Sequence, residues 1–294
     1  MTKQELEALI QQRFEEMPPK IQQAARYALD TPKEIALQSM RTVASQAGLQ
    51  PASMLRLARD LGFVNYESFR AVYIDWLSNQ DAGLTSRAEE WRNSARASGK
   101  PRDLEKLLNT ELSNIATTLG ESNDKAFKQA ERALSAARNV YILGLRSMHP
   151  PAFLLHYLMS TLRDNVVLLT GAGGTFADEL RRIQNRDVLV VFSAFPYAEL
   201  TLQALSYSRL RGATIVAVTD STVSPVARLS NITLLAPNSG QLMFPSIAPA
   251  VEVAQALGHL LIAQGGKSTL AEIANSEEQL KHFNVYRSSK QVKM

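Results

Sequence analysis

The sequence predicts an all-helical N-terminal domain followed by an α/β domain built on a doubly wound, mainly five-stranded parallel sheet. Three observations predict this. Over positions 1–79 apolar residues recur at three- and four-residue intervals, and Pro18, Pro32 and Pro51 each sit where a helix can begin. Beyond Asn139 the texture changes to short, nearly continuous apolar runs (NVYILG, NVVLLT, DVLVVFS, ATIVAVTD and NITLLAP), as in strands buried on both faces. Helical stretches alternate with these runs, which implies parallel strands, helices on both sides, and ligands at the carboxyl ends of the strands.

Composition sets the outer bounds. A chain of 294 residues with 45% hydrophobic content can bury two ordinary cores. It holds no cysteine, which excludes disulfides, thiolate metal sites and a cysteine nucleophile, and fits a reducing cytoplasm. The start, MTKQELEALIQQRFEEMPPK, is charged and amphipathic, unlike a signal peptide, and no run approaches the ~18 apolar residues of a membrane span. A net charge of +4 and a pI near 9.3 permit nucleic-acid binding without demanding it.

The first domain is assigned to residues 1–79. Within it SMRTVASQAGLQPASMLRLARDLGF, residues 39–63, has the pattern of a helix-turn-helix. Met40, Val43, Ala44 and Ala47 form the apolar face of a first helix, Gly48 supplies the turn, Leu49 anchors it, and Pro51 opens a second helix. A recognition helix reads base edges from its N-terminal residues, here Gln50, Ala52, Ser53 and Arg56. Arg56 suits a bidentate guanine contact, whereas Arg41 and Arg59 suit phosphates. The bland alternative is an Ala-rich helical hairpin.

The stretch from FEEMPPKIQQAARYALDTPKEIALQSM through RTVASQAGLQPASMLRLARDLGFVNYESFRAVY resembles the N-terminal domain of the RpiR (MurR/RpiR) family of bacterial transcription regulators. KIQQAARYALDTPKEIA, RLARDLGF and YESFR carry most of the likeness, over about the first 75 residues. Gln50 stands where the family usually has a capping Ser, Ser53 where it has Thr, and Asp60 where it has Lys or Arg. Loss of the cap weakens the helix start, and Asp60 disfavours a nearby phosphate.

A polar stretch, NQDAGLTSRAEEWRNSARASGKPR, supplies a linker over residues 80–102, and residues 103–294 form the second domain. Two amphipathic helices open it, DLEKLLNTELSNIATTL and NDKAFKQAERALSAAR, the first with Leu104, Leu107, Leu108, Leu112 and Ile115 on one face. Four strand-to-helix corners follow as candidate sites. At YILGLRSMHPP, Gly144 lets the chain leave the strand tightly, and Arg146, Ser147 and nearby amides can present donors to an anion. LTGAGGTFAD has Gly171, Gly173 and Gly174 but neither the dinucleotide spacing nor a Walker lysine, so it reads as a permissive loop. FSAFPYAELT turns from a strand into small, aromatic and Pro residues at Phe195, Pro196 and Tyr197. VTDSTVSPVARLSN offers the hydroxyls of Thr219, Ser221 and Ser224.

Residues 124–265 resemble the sugar isomerase (SIS) domain, most strongly in GATIVAVTDSTVSPVARLSN. The resemblance implies an αβα sandwich and places the family's phosphate-binding serines on Ser147 and Ser193. Where most such loops continue with Ser, Gly and Thr, this chain has Ala194, Phe195, Pro196 and Tyr197, so fewer hydroxyls meet a phosphate. The resulting ligand set is Gly144, Arg146, Ser147, His156, Ser193, Phe195, Tyr197, Thr219 and Ser221.

SIS domains also occur in aldose-ketose isomerases, which need a Glu or His base near the sugar. Of His149, His156, His259 and His282, only His156 is a candidate sugar-hydroxyl ligand, and nothing pairs Glu199 or Glu252 with an activating partner. No catalytic residue, cofactor or metal is therefore expected. The reading is a cytoplasmic transcription regulator, more a repressor than an activator of carbohydrate catabolism genes. It would bind double-stranded operator DNA and a phosphorylated sugar or sugar-acid effector as a homodimer or tetramer, with no membrane partner. The alternative is a sugar-phosphate isomerase. Residues 104–115 and 247–263 are candidate assembly surfaces, or simply core.

Overall fold

The computed structural model describes Met1, residues 3–81, positions 85, 88, 89 and 92, and residues 102–238 and 244–286. Most of the predicted linker lies outside these residues. The chain divides into two units, Met1–Asp103 and Leu104–Met294.

In the first unit, helices α1 (Lys3–Arg13), α2 (Pro19–Asp30), α3 (Pro32–Leu37), α4 (Met40–Gln46), α5 (Pro51–Asp60) and α6 (Tyr66–Asp81) surround one apolar core. Proline opens α2, α3 and α5, where its missing N–H has no helical partner to lose. Ile21, Ala24, Ala25 and Ala28 of α2 pack with Val43, Ala44, Met54, Leu57 and Ala58, and small alanines allow the backbones to close in. Phe69 anchors α6, with Phe63 edge-on at 5.6 Å and Tyr73 at 5.2 Å. Burial pushes the Tyr66 phenol up to about 12.

The second unit opens with α7 (Arg102–Thr118) and α8 (Glu121–Ala136). Five strands follow: β1 (Val140–Gly144), β2 (Val166–Leu169), β3 (Val188–Phe192), β4 (Thr214–Thr219) and β5 (Ile232–Leu235). They pair all-parallel in the order β2-β1-β3-β4-β5. The interior strands β1 and β3 are buried at every position, whereas β2, at an edge, is only partly covered. Between strands run α9 (His149–Ser160), α10 (Phe176–Leu180), α11 (Glu199–Leu210) and α12 (Pro225–Leu229), and α13 (Ala248–Gln264) and α14 (Lys267–His282) close the unit. Alternate strand residues feed two cores, Val140, Ile142, Val190 and Val216 on one face and Tyr141, Leu143, Leu189 and Ile215 on the other.

Two predicted surfaces divide. In α13, Val253, Ala254, Leu257 and Leu261 are core, and Gly258 lets Leu158 of α9 approach. Leu104, Leu108 and Leu112 of α7 are exposed. At the amino end of the sheet, buried Asp187 accepts two bonds from Arg138 (Nε 3.0 Å, Nη2 2.7 Å) and others from Asn139 and the Gln184 amide.

Candidate functional sites

In the first unit the helix-turn-helix is built by local rules. Ser39 caps α4 through the Thr42 N–H, and Gly48 takes a left-handed φ of 67° at the turn. Leu49 N–H then closes onto the Ala44 carbonyl at 2.8 Å, and Gln23 Nε2 donates to the Ala47 carbonyl at 2.8 Å. Gln50 stands at the start of α5 without a side-chain capping bond. Arg41, Gln50, Ala52, Arg56 and Arg59 are exposed and Ser53 is half-buried, while Met54, Leu57 and Ala58 face the core. Asp60 lies 3.8 Å from Arg56 across one turn of exposed helix, a weak pairing that a phosphate or a base edge can displace.

In the second unit, the sheet order reverses direction between β1 and β3, so the crevice at their carboxyl ends is the topological switch point. Gly144 and Phe192 are in register there, which puts the Arg146–Ser147 corner and Ser193 at the ends of neighbouring strands. Arg146 adopts a left-handed φ of 55°, unusual for a side-chain-bearing residue, and Arg146 and Ser147 are both exposed. Gly144 itself is buried and serves packing: a Cβ on it would lie 2.2 Å from the Met148 carbonyl oxygen and 2.6 Å from Ala152 Cβ. The start of α9 offers an anion less than its position suggests. Pro150 and Pro151 lack N–H groups, and the His149 amide donates to the Arg146 carbonyl.

The β3 corner is organised by a residue that sequence reasoning passed over. Asp220, 6% exposed at the end of β4, accepts from Tyr197 Oη at 2.9 Å, Phe195 N–H at 3.3 Å and Thr219 Oγ1 at 3.2 Å. These bonds fold the aromatic loop onto β4, with Phe195 and Tyr197 edge-to-face at 6.0 Å and a cis peptide before Pro196. Burial raises the Asp220 carboxyl above its ordinary range, although the hydrogen bonds pull the other way. The Phe195 amide is thus engaged by protein, and α11 begins at Glu199, two residues later than Tyr197. Ser193 is buried, with its N–H on the Val218 carbonyl and no partner for its hydroxyl among the described residues.

The remaining predicted ligand residues are spread more widely. Thr219 is buried and shares its hydroxyl with Ser224, and Ser221 accepts from the Val223 N–H. His156 lies two turns along α9, in contact with Ser160 and Phe153, and burial lowers its pKa. The glycine loop after β2 is held by Glu179, whose carboxylate accepts from the Thr170 and Gly171 amides.

Comparison with known proteins agrees with this geometry. Residues 133–260 match the SIS domain family. An uncharacterized HTH-type transcriptional regulator of Caldanaerobacter subterraneus is 21% identical over 259 residues, 84% of this chain and 85% of that protein. A glutamine–fructose-6-phosphate aminotransferase (isomerizing) of Pyrobaculum aerophilum is 25% identical over 176 residues, 59% of this chain but 29% of that enzyme. The sugar isomerase domain of an RpiR transcription factor from Sphaerobacter thermophilus superposes with a TM-score of 0.56 at 24% identity, covering 61% of this chain and 99% of that one. The Vibrio vulnificus NanR protein, solved with ManNAc-6P, superposes at 0.55 and 16% identity over 96% and 100% of the two chains.

Proposed function

We propose, starting from a SIS domain at residues 133–260 on a chain that also carries a helix-turn-helix, that this protein is a transcription regulator of the RpiR type. It reads operator DNA through α4 and α5 and responds to a phosphorylated sugar or sugar acid at the β1–β3 crevice. The observation that carries the reading is the union of two features: a reading helix with Arg56 and Arg59 turned to solvent, and a switch-point crevice with Ser147 and Ser193 just past the carboxyl ends of adjacent strands β1 and β3. A two-fold operator requires two reading heads, so the working form is at least a homodimer, acting in the cytoplasm where the operator lies. Effector that binds one dimer arrangement more tightly shifts the population able to bind DNA, and repression of carbohydrate catabolism genes is the expected output. The NanR complex with ManNAc-6P supports a phosphosugar effector by analogy.

An isomerase reading gains less support. The Asp220 carboxylate is occupied by three donors, and Glu199 is exposed at the start of α11 with Gln203 as its partner. Fluorescence anisotropy on the DNA upstream of the gene tests the regulator. Arg56→Ala is expected to lower specific affinity about tenfold or more, the scale of one bidentate base contact, with the melting temperature unchanged. Full operator affinity in that variant rejects the reading face. Ser147→Ala with Ser193→Ala should shift the dose response to a sugar phosphate by about tenfold, and an unmoved response rejects the crevice.

A further inference from the structure

At the amino end of the sheet, opposite the switch point, a separate cleft of about 840 Å³ is lined by Arg138, Tyr141, Val167, Arg181, Arg182 and Arg211. Its origin lies in the connection between β2 and β3. The helix α10 has only five residues and covers roughly 7–8 Å, so edge-strand Val167 stays 38% exposed beside Tyr141. The volume is within the ordinary range of small-molecule pockets, roughly 300–1,000 Å³.

The lining divides into an apolar floor and a cationic rim. Tyr141, 5% exposed, and its neighbour Val167 form the floor. Two rim arginines are fixed in place: Arg138 by its two bonds to Asp187, and Arg211 by a bond from Nε to the Ile183 carbonyl at 3.2 Å. The other two, Arg181 and Arg182, are exposed and their guanidiniums make no hydrogen bond or ion pair among the described residues. Asp178 and Glu179 also line the cleft, but Glu179 is turned to the Thr170 and Gly171 amides. With Asp187 beneath Arg138, four guanidiniums still outnumber three carboxylates.

We propose that this cleft is a second ligand site, for a small organic anion whose phosphate or carboxylate is clasped by Arg181 and Arg182 and whose apolar body rests on Tyr141 and Val167. Planar guanidiniums match either acid group bidentately, and a ring on the tyrosine floor adds area without competing for donors. The site shares no residue with the β1–β3 crevice and stands or falls independently of it.

Isothermal titration of the full-length protein with phenyl phosphate, benzoate and phenyl glucoside tests the site. The titrations are done in a Ser147→Ala, Ser193→Ala background so that the crevice contributes little. Saturable binding of either acid at one site per chain, weakened by salt, with the neutral glucoside silent, is expected; which acid binds more tightly names the preferred group. Arg181→Ala with Arg182→Ala should weaken binding about tenfold or more without moving the melting temperature. Should the double variant prove unstable, Arg182→Gln alone should weaken binding severalfold. Val167→Glu, which places a carboxylate on the floor, should abolish it. Undiminished binding in these variants, equal binding of the glucoside, or no saturable binding of either acid up to about 10 mM overturns the proposal.

Discussion

The two ends of the parallel sheet each bury an aspartate, and the two carboxylates are held in opposite ways. Asp187, before β3, faces a cation: Arg138 donates twice, Asn139 and the Gln184 amide add neutral bonds, and together they outweigh burial and hold the carboxyl below its ordinary range. Asp220, after β4, meets only neutral donors (Tyr197, Phe195 N–H and Thr219), and burial leaves its carboxyl above that range. Hydrogen bonds alone do not restore what desolvation removes; a partner charge does. The amino end is therefore locked around an ion pair. The carboxyl end is instead organised by neutral donors, which fold the aromatic loop onto β4 around the buried acid.

Removing each acid should separate these roles, and the larger effect belongs to the ion pair. Asp187→Ala leaves the Gln184 amide and Asn139 without their acceptor and is expected to cost about 3 kcal/mol in urea unfolding. Asp220→Ala frees Tyr197 and Phe195 as well, but it also relieves the burial of an acid, so about 2 kcal/mol is expected in the same measurement. A larger loss for Asp220 would reverse the comparison.

Acidification sharpens it further. Asp187 has a depressed folded pKa, so its contribution is present above the ordinary value of 3.8 and is lost as pH falls through the depressed value. Asp220 has a raised folded pKa, so its contribution is full below 3.8 and is lost as pH rises through the raised value. Melting curves across acid pH should show the wild-type advantage over Asp187→Asn shrinking on acidification, and that over Asp220→Asn growing. Parallel trends would mean that the two sites do not differ in charge preference. The smallest effect belongs to Tyr197→Phe, about 1 kcal/mol or less, since it removes one of three donors to Asp220. Its informative readout is effector selectivity, because the loop it loosens carries Phe195 next to Ser193.

Much of this architecture is legible in the sequence. The five apolar runs are β1 to β5; in β1, β3 and β4 burial on both faces leaves little room for polar positions, whereas the edge strands β2 and β5 are only partly covered. The helix-turn-helix is legible because its signals are local: the turn glycine Gly48 and the proline start at Pro51; the Ser39 cap is seen only in the structure. The crevice was legible only in part. Arg146 and Ser147 stand out at the strand-to-helix corner and Ser193 through the family likeness, whereas the place of His156 two turns along α9 and the packing of Gly144 against Met148 and Ala152 are tertiary facts. Asp220 gives no local signal of its role, since its partners Phe195 and Tyr197 stand 25 and 23 residues away.

What the sequence by itself determined is whatever depends on neighbours within a few residues: which segments are helix or strand, where each begins, and which faces are apolar. Tertiary structure alone decided which strand ends meet. Pairing β3 with β4 in the register Phe192 to Val218 brings Asp220 under the aromatic loop, and the register Val140 to Val188 sets Arg138 against Asp187. Chemistry of that kind arises from residues distant in the chain, and local periodicity carries no record of which distant partner a strand will choose.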